Sequence, residues 1–173
     1  MNNYGWSSLM IKFNKAIDNQ IISFANKFIP VECQNDPDNG SGIVTDPHIS
    51  IITDLEISYP EIEIRKNIEM LAPFKIMFGP ISFFRNGHVD VVKIDIISDE
   101  LNTIHYHLKN SIPNHYKFDE YHPHCTLAFV KPGSCDSILN QANYFRGMTY
   151  DVQWINFNSA KGVAHTMKIG KNN

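Results

Sequence analysis

The sequence predicts an α+β protein built from two small, mostly antiparallel sheets with helices packed outside them. Three observations predict it. Apolar residues switch repeatedly between period 2 and helical spacing along the chain. A hairpin signal and mixed connections take the place of the regular alternation of a doubly wound parallel sheet. The second half of the element order repeats the first in outline, and no low-complexity segment or linker divides the chain, so residues 1–173 read as one domain of two related halves.

In chain order, residues 7 to 13 (SSLMIKF) read as a strand. Ile17, Ile21, Phe24, Ala25 and Phe28 then recur at helical spacing over residues 14 to 28, until Pro30 stops them. Turn formers crowd residues 34 to 42 (QNDPDNGSG), a surface loop leading into an apolar strand that begins at His48. Pro60 suits a helix start, and Ile64, Ile68, Leu71 and Ala72 make one stripe, predicting a helix over 60–72. FKIMFGPISFF and HVDVVKIDII flank Arg85-Asn86-Gly87, a hairpin signal; in the second of these strands Lys93 and Asp95 alternate with Val92, Ile94 and Ile96, so one face is wet. Leu101, Ile104, Leu108 and Ile112 predict a helix over 99–112, with Asp99 and Glu100 in its first turn. A second histidine strand begins at His124. Ile138, Leu139, Ala142 and Phe145 suggest one more helix, and two last strands, 149–158 and 163–169, turn through Ala160-Lys161-Gly162.

Composition narrows the function classes. With 43% hydrophobic residues the chain can bury a sizeable core, and a net charge of −3 without a basic cluster disfavours long nucleic acid while permitting a small phosphorylated ligand. The three cysteines, Cys33, Cys125 and Cys135, show no metal spacing, and their odd number argues against a disulfide framework. A reducing cytoplasm fits that usage. No apolar run approaches the roughly 18 residues of a membrane span, and the start lacks the pattern of a secretory signal.

Two short motifs carry the chemistry. DPHISIITDL places His48 and Ser50 two residues apart after a proline, and YHPHCTLAFV does the same with His124 and Thr126. Side chains two apart on a strand share a face, so if the two strands lie side by side, two imidazoles and two hydroxyls converge. Such a set suits phosphodiester cleavage. One neutral histidine takes a proton from the attacking hydroxyl, the other donates one to the leaving oxygen, and the hydroxyls of Ser50 and Thr126 hydrogen-bond the nonbridging oxygens as charge grows on them. Histidine suits both tasks because its ordinary pKa of about 6.5 keeps both protonation states accessible.

With GIVTDPHISI, APFKIMFGPISFF, VDVVKIDIIS, YHPHCTLAFVKPG and INFNSAKG in that order over about residues 42 to 162, the chain resembles the 2H phosphoesterase superfamily. Within it, the sequence resembles a compact phage-encoded branch whose members destroy the cyclic-oligonucleotide alarm signals of bacterial defence, the anti-CBASS enzymes. The resemblance implies a bilobal, pseudo-twofold fold with a central cleft between the sheets. It also implies metal-independent cleavage of 3′-5′ linkages in cyclic di- or trinucleotides by attack of the 2′-hydroxyl, with His48, Ser50, His124 and Thr126 catalytic and no cofactor. The location it implies for a phage protein is the host cytoplasm. Two features depart from the pattern: position 50 is Ser where Thr is commoner, and Thr53-Asp54 stands in place of Tyr-Gly.

Stacking surfaces for the bases are sought among Tyr4, Trp6, Phe84, Tyr121 and Trp154, which flank the expected strands. Ile155 and Phe157 share the apolar phase of their strand, leaving Trp154, Asn156 and Asn158 on the other face. Trp154 and Asn156 are therefore expected substrate contacts, and Tyr4 is a third because a short N-terminal arm can fold over a ligand. Of the other histidines, His105 and His107 diverge on a helix and read as its surface; His122 and His124 could chelate from a strand, yet no acidic or cysteine partner sits at a recognisable spacing, so no metal is expected. Two further functions are consistent with the same residues: opening 2′,3′-cyclic phosphates at RNA ends, and sequestering cyclic nucleotides without turnover.

Overall fold

The computed structural model describes residues 6–170 apart from position 57. Its strands and helices are β1 (Ser7–Lys12), α1 (Lys15–Phe28), β2 (His48–Leu55), α2 (Glu61–Glu69), β3 (Phe74–Arg85), β4 (Asp90–Ile97), α3 (Asp99–Ser111), β5 (His124–Val130), β6 (Thr149–Val152), β7 (Trp154–Asn158) and β8 (Ala164–Lys168). Local chemistry sets the boundaries. The Asn14 side chain accepts from the backbone N–H groups of Ala16 and Ile17, each at 3.1 Å, starting α1. Ser98 does the same for Leu101 at the head of α3. The loop between β3 and β4 turns at Gly87, whose φ of +85° is left-handed, while Asn86 accepts from the N–H groups of His88 and Val89.

Every ladder is antiparallel, in the order β6-β3-β4-β5-β2-β1-β7-β8. Two halves are present, each of four strands, β6-β3-β4-β5 and β2-β1-β7-β8, but they are not the separate sheets expected. The ladder continues between β2 and β5 through the register pair Ile49 and Cys125, making one curled eight-stranded sheet. The helices cross over at this seam: α1, which follows β1, packs against β5, and α3, which precedes β5, packs against β2. One core results. Leu9, Ile11, Ile49, Ile51, Cys125, Leu127 and Ile155 on the strands join Ile21 and Phe24 of α1 and Leu101, Ile104 and Leu108 of α3 in a single buried cluster.

Three expectations are corrected. The helix sought around residues 138 to 145 is a six-residue 3-10 segment, Asp136–Gln141, because the next carbonyl, that of Ala142, accepts from the Ile81 N–H of β3 at 2.8 Å instead of continuing a helical ladder, and turns then lead to β6. Ile138 and Phe145 still reach the core, Phe145 against Phe24 with ring centroids 4.9 Å apart. The strand expected over 149–158 breaks at Gln153, and its two parts serve opposite halves of the sheet: β6 pairs with β3 and β7 with β1. His105 is fully buried instead of lying on the helix surface, since it shares the inward stripe of Leu101 and Leu108. Its Nδ1 contacts the Ile51 carbonyl oxygen at 2.6 Å and its ring stacks on Tyr121 at 4.0 Å.

Candidate active site

The seam between β2 and β5 positions the two histidine motifs. Antiparallel partners face the same side, so pairing Ile49 with Cys125 in the core sends His48, Ser50, His124 and Thr126 together to the opposite face. Carrying that register one residue either way sets His48 level with Thr126 and Ser50 level with His124 along the two strands. Burial follows the alternation: Ile49, Cys125 and Leu127 are fully buried, while the four polar side chains are half-buried.

The two imidazoles are anchored alike. Nδ1 of His48 lies 2.8 Å from the carbonyl oxygen of Asp46, and Nδ1 of His124 lies 2.6 Å from that of His122, in each case two residues earlier. A carbonyl only accepts, so each Nδ1 carries its proton and donates, leaving Nε2 to take up or release the other one. Each histidine also has a lysine and aspartate pair alongside. Lys12, in register with His48, bonds the Asp46 carboxylate at 2.8 Å. Lys93, only 6% exposed, is bonded to Asp95, in register with His124, and to the Ser82 hydroxyl at 2.7 Å.

The surroundings of His124 are less polar than those of a surface histidine. Phe84 meets its ring edge-on at 4.9 Å, and the Lys93 ammonium sits over the Phe84 ring at 4.3 Å. Burial pushes the His124 pKa below the ordinary histidine value; the bond to the His122 carbonyl opposes this, and the Lys93 charge reinforces it. Tyr121 ties the strands together behind the motifs, its hydroxyl donating to the Ser50 carbonyl at 2.8 Å, and burial raises its pKa far above the ordinary phenol value.

Beside His48 and Ser50 opens a cavity of about 400 Å³, lined also by Trp6, Met10, Thr53, Asp54 and Asn158. A smaller hollow of about 250 Å³ adjoins it, sharing Ser7 and Ser159; there His165 bonds Glu61 at 2.7 Å, and neither histidine motif reaches it. Of the expected substrate contacts, Tyr4 lies outside the described residues. Trp154 and Asn156 face the same side as the motifs but not the cavity; Trp154 is 48% exposed on β7, and Asn156 donates to the Thr166 hydroxyl of β8 at 3.0 Å. Their strand neighbour Asn158 and the N-terminal Trp6 take that place instead. Lys93, Asp95 and Ser82 join the site without a motif to mark them; the alternation of Lys93 and Asp95 against apolar neighbours is the sequence signal they carry. Among the described residues, no three His, Cys, Asp or Glu side chains gather as a metal-binding group, and no helix is long and apolar enough to cross a membrane.

Comparison with known proteins adds the lineage of this arrangement. The family model described as the 2′-5′ RNA ligase superfamily matches residues 32–156. No curated protein sequence matches the chain. Among solved structures, TT0787 of Thermus thermophilus superposes with a TM-score of 0.67 at 13% identity, covering 96% of this chain and 100% of its own. Escherichia coli LigT complexed with 3′-AMP gives 0.60 at 14% identity, covering 94% and 93%. Kluyveromyces marxianus Usb1 with uridine monophosphate gives 0.58 at 9% identity, covering 96% and 99%. At these identities the likeness is one of fold.

Proposed function

Since this chain belongs to the 2′-5′ RNA ligase superfamily, the 2H phosphoesterases, and is an enzyme acting on phosphodiester bonds, we propose that it cleaves the 3′-5′ linkages of small cyclic di- or trinucleotides, using His48, Ser50, His124 and Thr126. The observation that carries this reading is the paired anchoring of the imidazoles: both Nδ1 atoms donate to backbone carbonyls, so both Nε2 atoms are free for proton transfer.

In this mechanism His124, biased toward its neutral form, is the base. Its Nε2 takes the proton of a ribose 2′-hydroxyl, and the 2′-oxygen attacks the adjacent phosphorus. The bond to the 5′-oxygen breaks as Nε2–H of protonated His48 donates to it. The products are a 2′,3′-cyclic phosphate and a free 5′-hydroxyl, with the proton now on His124. Water entering along the reverse path, activated by the now neutral His48, opens the cyclic phosphate and restores both imidazoles. Hydroxyl donors at Ser50 and Thr126 bind the nonbridging oxygens, where negative charge builds in the transition state. Between them, the two imidazoles supply every proton transfer, so the cycle calls for no metal ion.

A small closed substrate is supported by the net charge of −3 and the lack of a basic cluster, which argue against a long phosphate backbone. It is supported also by the resemblance to the phage branch that destroys cyclic-oligonucleotide alarms, which would place the enzyme against bacterial immune signalling. The nucleotides bound in LigT and Usb1 favour a second reading, opening of 2′,3′-cyclic phosphates at RNA ends. Product analysis in EDTA decides between them. Wild-type protein and His48→Ala are incubated with cyclic dinucleotides, cyclic trinucleotides and cyclic-phosphate-ended RNA. Cleavage of the cyclic ligands by wild type alone upholds the proposal; opening of the RNA ends alone transfers the site to the second reading; binding without cleavage leaves a sequestering protein.

A further inference from the structure

Asp54 adopts φ +59°, the one left-handed backbone conformation at a non-glycine residue among the described residues. A side chain there is strained by contact of its Cβ with the backbone, and aspartate tolerates it better than most. The strain has a local cause. Between β1 and β2 the register passes from Leu9 opposite Ile52 to Ser7 opposite Leu55, so β2 carries an extra residue, a bulge around Thr53 and Asp54. Bulges re-aim side chains and recur beside active sites. An earlier shift, from Ser50 opposite Met10 to Ile52 opposite Leu9, already sends both Ile51 and Ile52 into the core; the bulge at Thr53 and Asp54 follows it, and both residues line the cavity that His48 and Ser50 open into.

The carboxylate is held but not used up. The Thr53 hydroxyl donates to Asp54 Oδ2 at 2.9 Å, leaving Oδ1 and the remaining lone pairs of the group to accept. Among the described residues no cation pairs with it, in contrast to Asp46, which bonds Lys12 in the same cavity wall. A carboxylate facing a phosphate-cleaving site repels phosphate, so the group it fits is a donor. Trp6 lines the same cavity, 46% exposed, its ring 4.9 Å from that of His115, whose backbone N–H donates to the Asp54 carbonyl at 2.8 Å. A partly exposed aromatic ring and a carboxylate without a cation partner, lining one cavity, have the composition of a base-binding subsite: the ring stacks on the base and the acceptor reads its edge.

We propose that Asp54 and Trp6 form a nucleobase subsite that selects guanine. Guanine is the base whose Watson–Crick edge presents two adjacent N–H donors, N1–H and the N2 amino group, matching the two oxygens of a carboxylate in a charge-assisted pair. Adenine presents an acceptor, N1, where guanine has a donor. The subsite rests on the nucleotide phosphodiesterase reading above, and assigns the base next to the scissile linkage on the His48 side.

Two measurements test it. In a Trp154→Phe background, quenching of Trp6 fluorescence by GMP and by AMP reads the subsite without catalysis. GMP is expected to bind at least about tenfold more tightly. Asp54→Asn and Asp54→Gly are expected to reduce that preference to below about threefold while leaving AMP affinity within about twofold. Asp54→Gly is expected to melt at or above the wild-type temperature, because glycine adopts φ +59° without strain, so lost selectivity there cannot be assigned to misfolding. Equal binding of GMP and AMP, no binding of either, or a preference unmoved by both substitutions overturns the proposal. Cleavage of cyclic di-GMP against cyclic di-AMP then separates the two readings. Turnover of both at equal rates refutes the subsite and keeps the enzyme. No turnover with selective GMP quenching keeps the subsite and refutes cleavage of cyclic dinucleotides.

Discussion

Ile49 and Cys125 face each other across β2 and β5, and that pair joins the two halves of the sheet. Both are fully buried. Their packing on the core side fixes the register that sends the two histidines and two hydroxyls to the other side. Ile49→Ala should therefore destabilise the protein by about 2–5 kcal/mol, the usual cost of a truncated buried aliphatic side chain. Urea unfolding followed by circular dichroism checks the magnitude.

His48→Ala and His124→Ala should each lower kcat by about 10²- to 10⁴-fold, the usual worth of a positioned general acid or base. Both side chains are half-buried on the sheet's open face, so melting temperatures should move little. The double variant should be scarcely slower than either single one, because a proton relay missing one partner is already broken. Single-turnover assays on a cleaved cyclic dinucleotide read this; multiplicative losses would show that the two histidines act independently.

Thr126→Ala and Ser50→Ala should each reduce kcat about 10- to 100-fold with a smaller change in KM, because a hydroxyl aimed at the nonbridging oxygens gains strength as charge builds there. Ser50→Thr should keep most of the activity, since it retains the donor. Steady-state kinetics on the same dinucleotide separate the kcat and KM effects.

The pH dependence of kcat/KM should expose the role of Lys93. A base must be neutral to act, so activity falls as pH drops through the His124 pKa. Burial and Lys93 hold that pKa down, placing the acid limb below about pH 6.5. Lys93→Met preserves packing on Phe84 but removes the charge and leaves Asp95, which raises the His124 pKa, unopposed. The acid limb should move to higher pH. A limb that stays in place would remove His124 from the role of base.

His105 should make stability pH-dependent. It is buried with its pKa lowered by burial, so the folded protein binds its proton less readily than the unfolded chain does. Its contribution is complete above the unfolded value of about 6.5 and is lost as pH falls through the folded one. Thermal melts at pH 7.5 and 5.5 should differ, and His105→Gln should shrink the difference.

Much of the fold was legible because most elements carry their own signals. The Leu101, Ile104 and Leu108 stripe and the alternation around Lys93 arise from residues that are neighbours in sequence. What failed were features set by distant partners. Nothing local separates Thr149–Val152 from Trp154–Asn158, because the break at Gln153 reflects two pairing strands, β3 and β1, far away in the chain. His105 stands on the same stripe as Leu101 and Leu108, but a polar side chain reads as surface until its buried acceptor, the Ile51 carbonyl on another element, is seen.

The sequence by itself determined the chemistry available: two histidines, each two residues before a hydroxyl, on strands whose period of 2 puts each pair on one face. Only the tertiary structure decided that the pairs meet. It did so through the β2 and β5 register, and through the Lys93 and Asp95 pair on the neighbouring strand, which biases His124. The physical reason is range: side-chain alternation is a property of a single strand, whereas register, desolvation and charge pairing come from the elements packed against it.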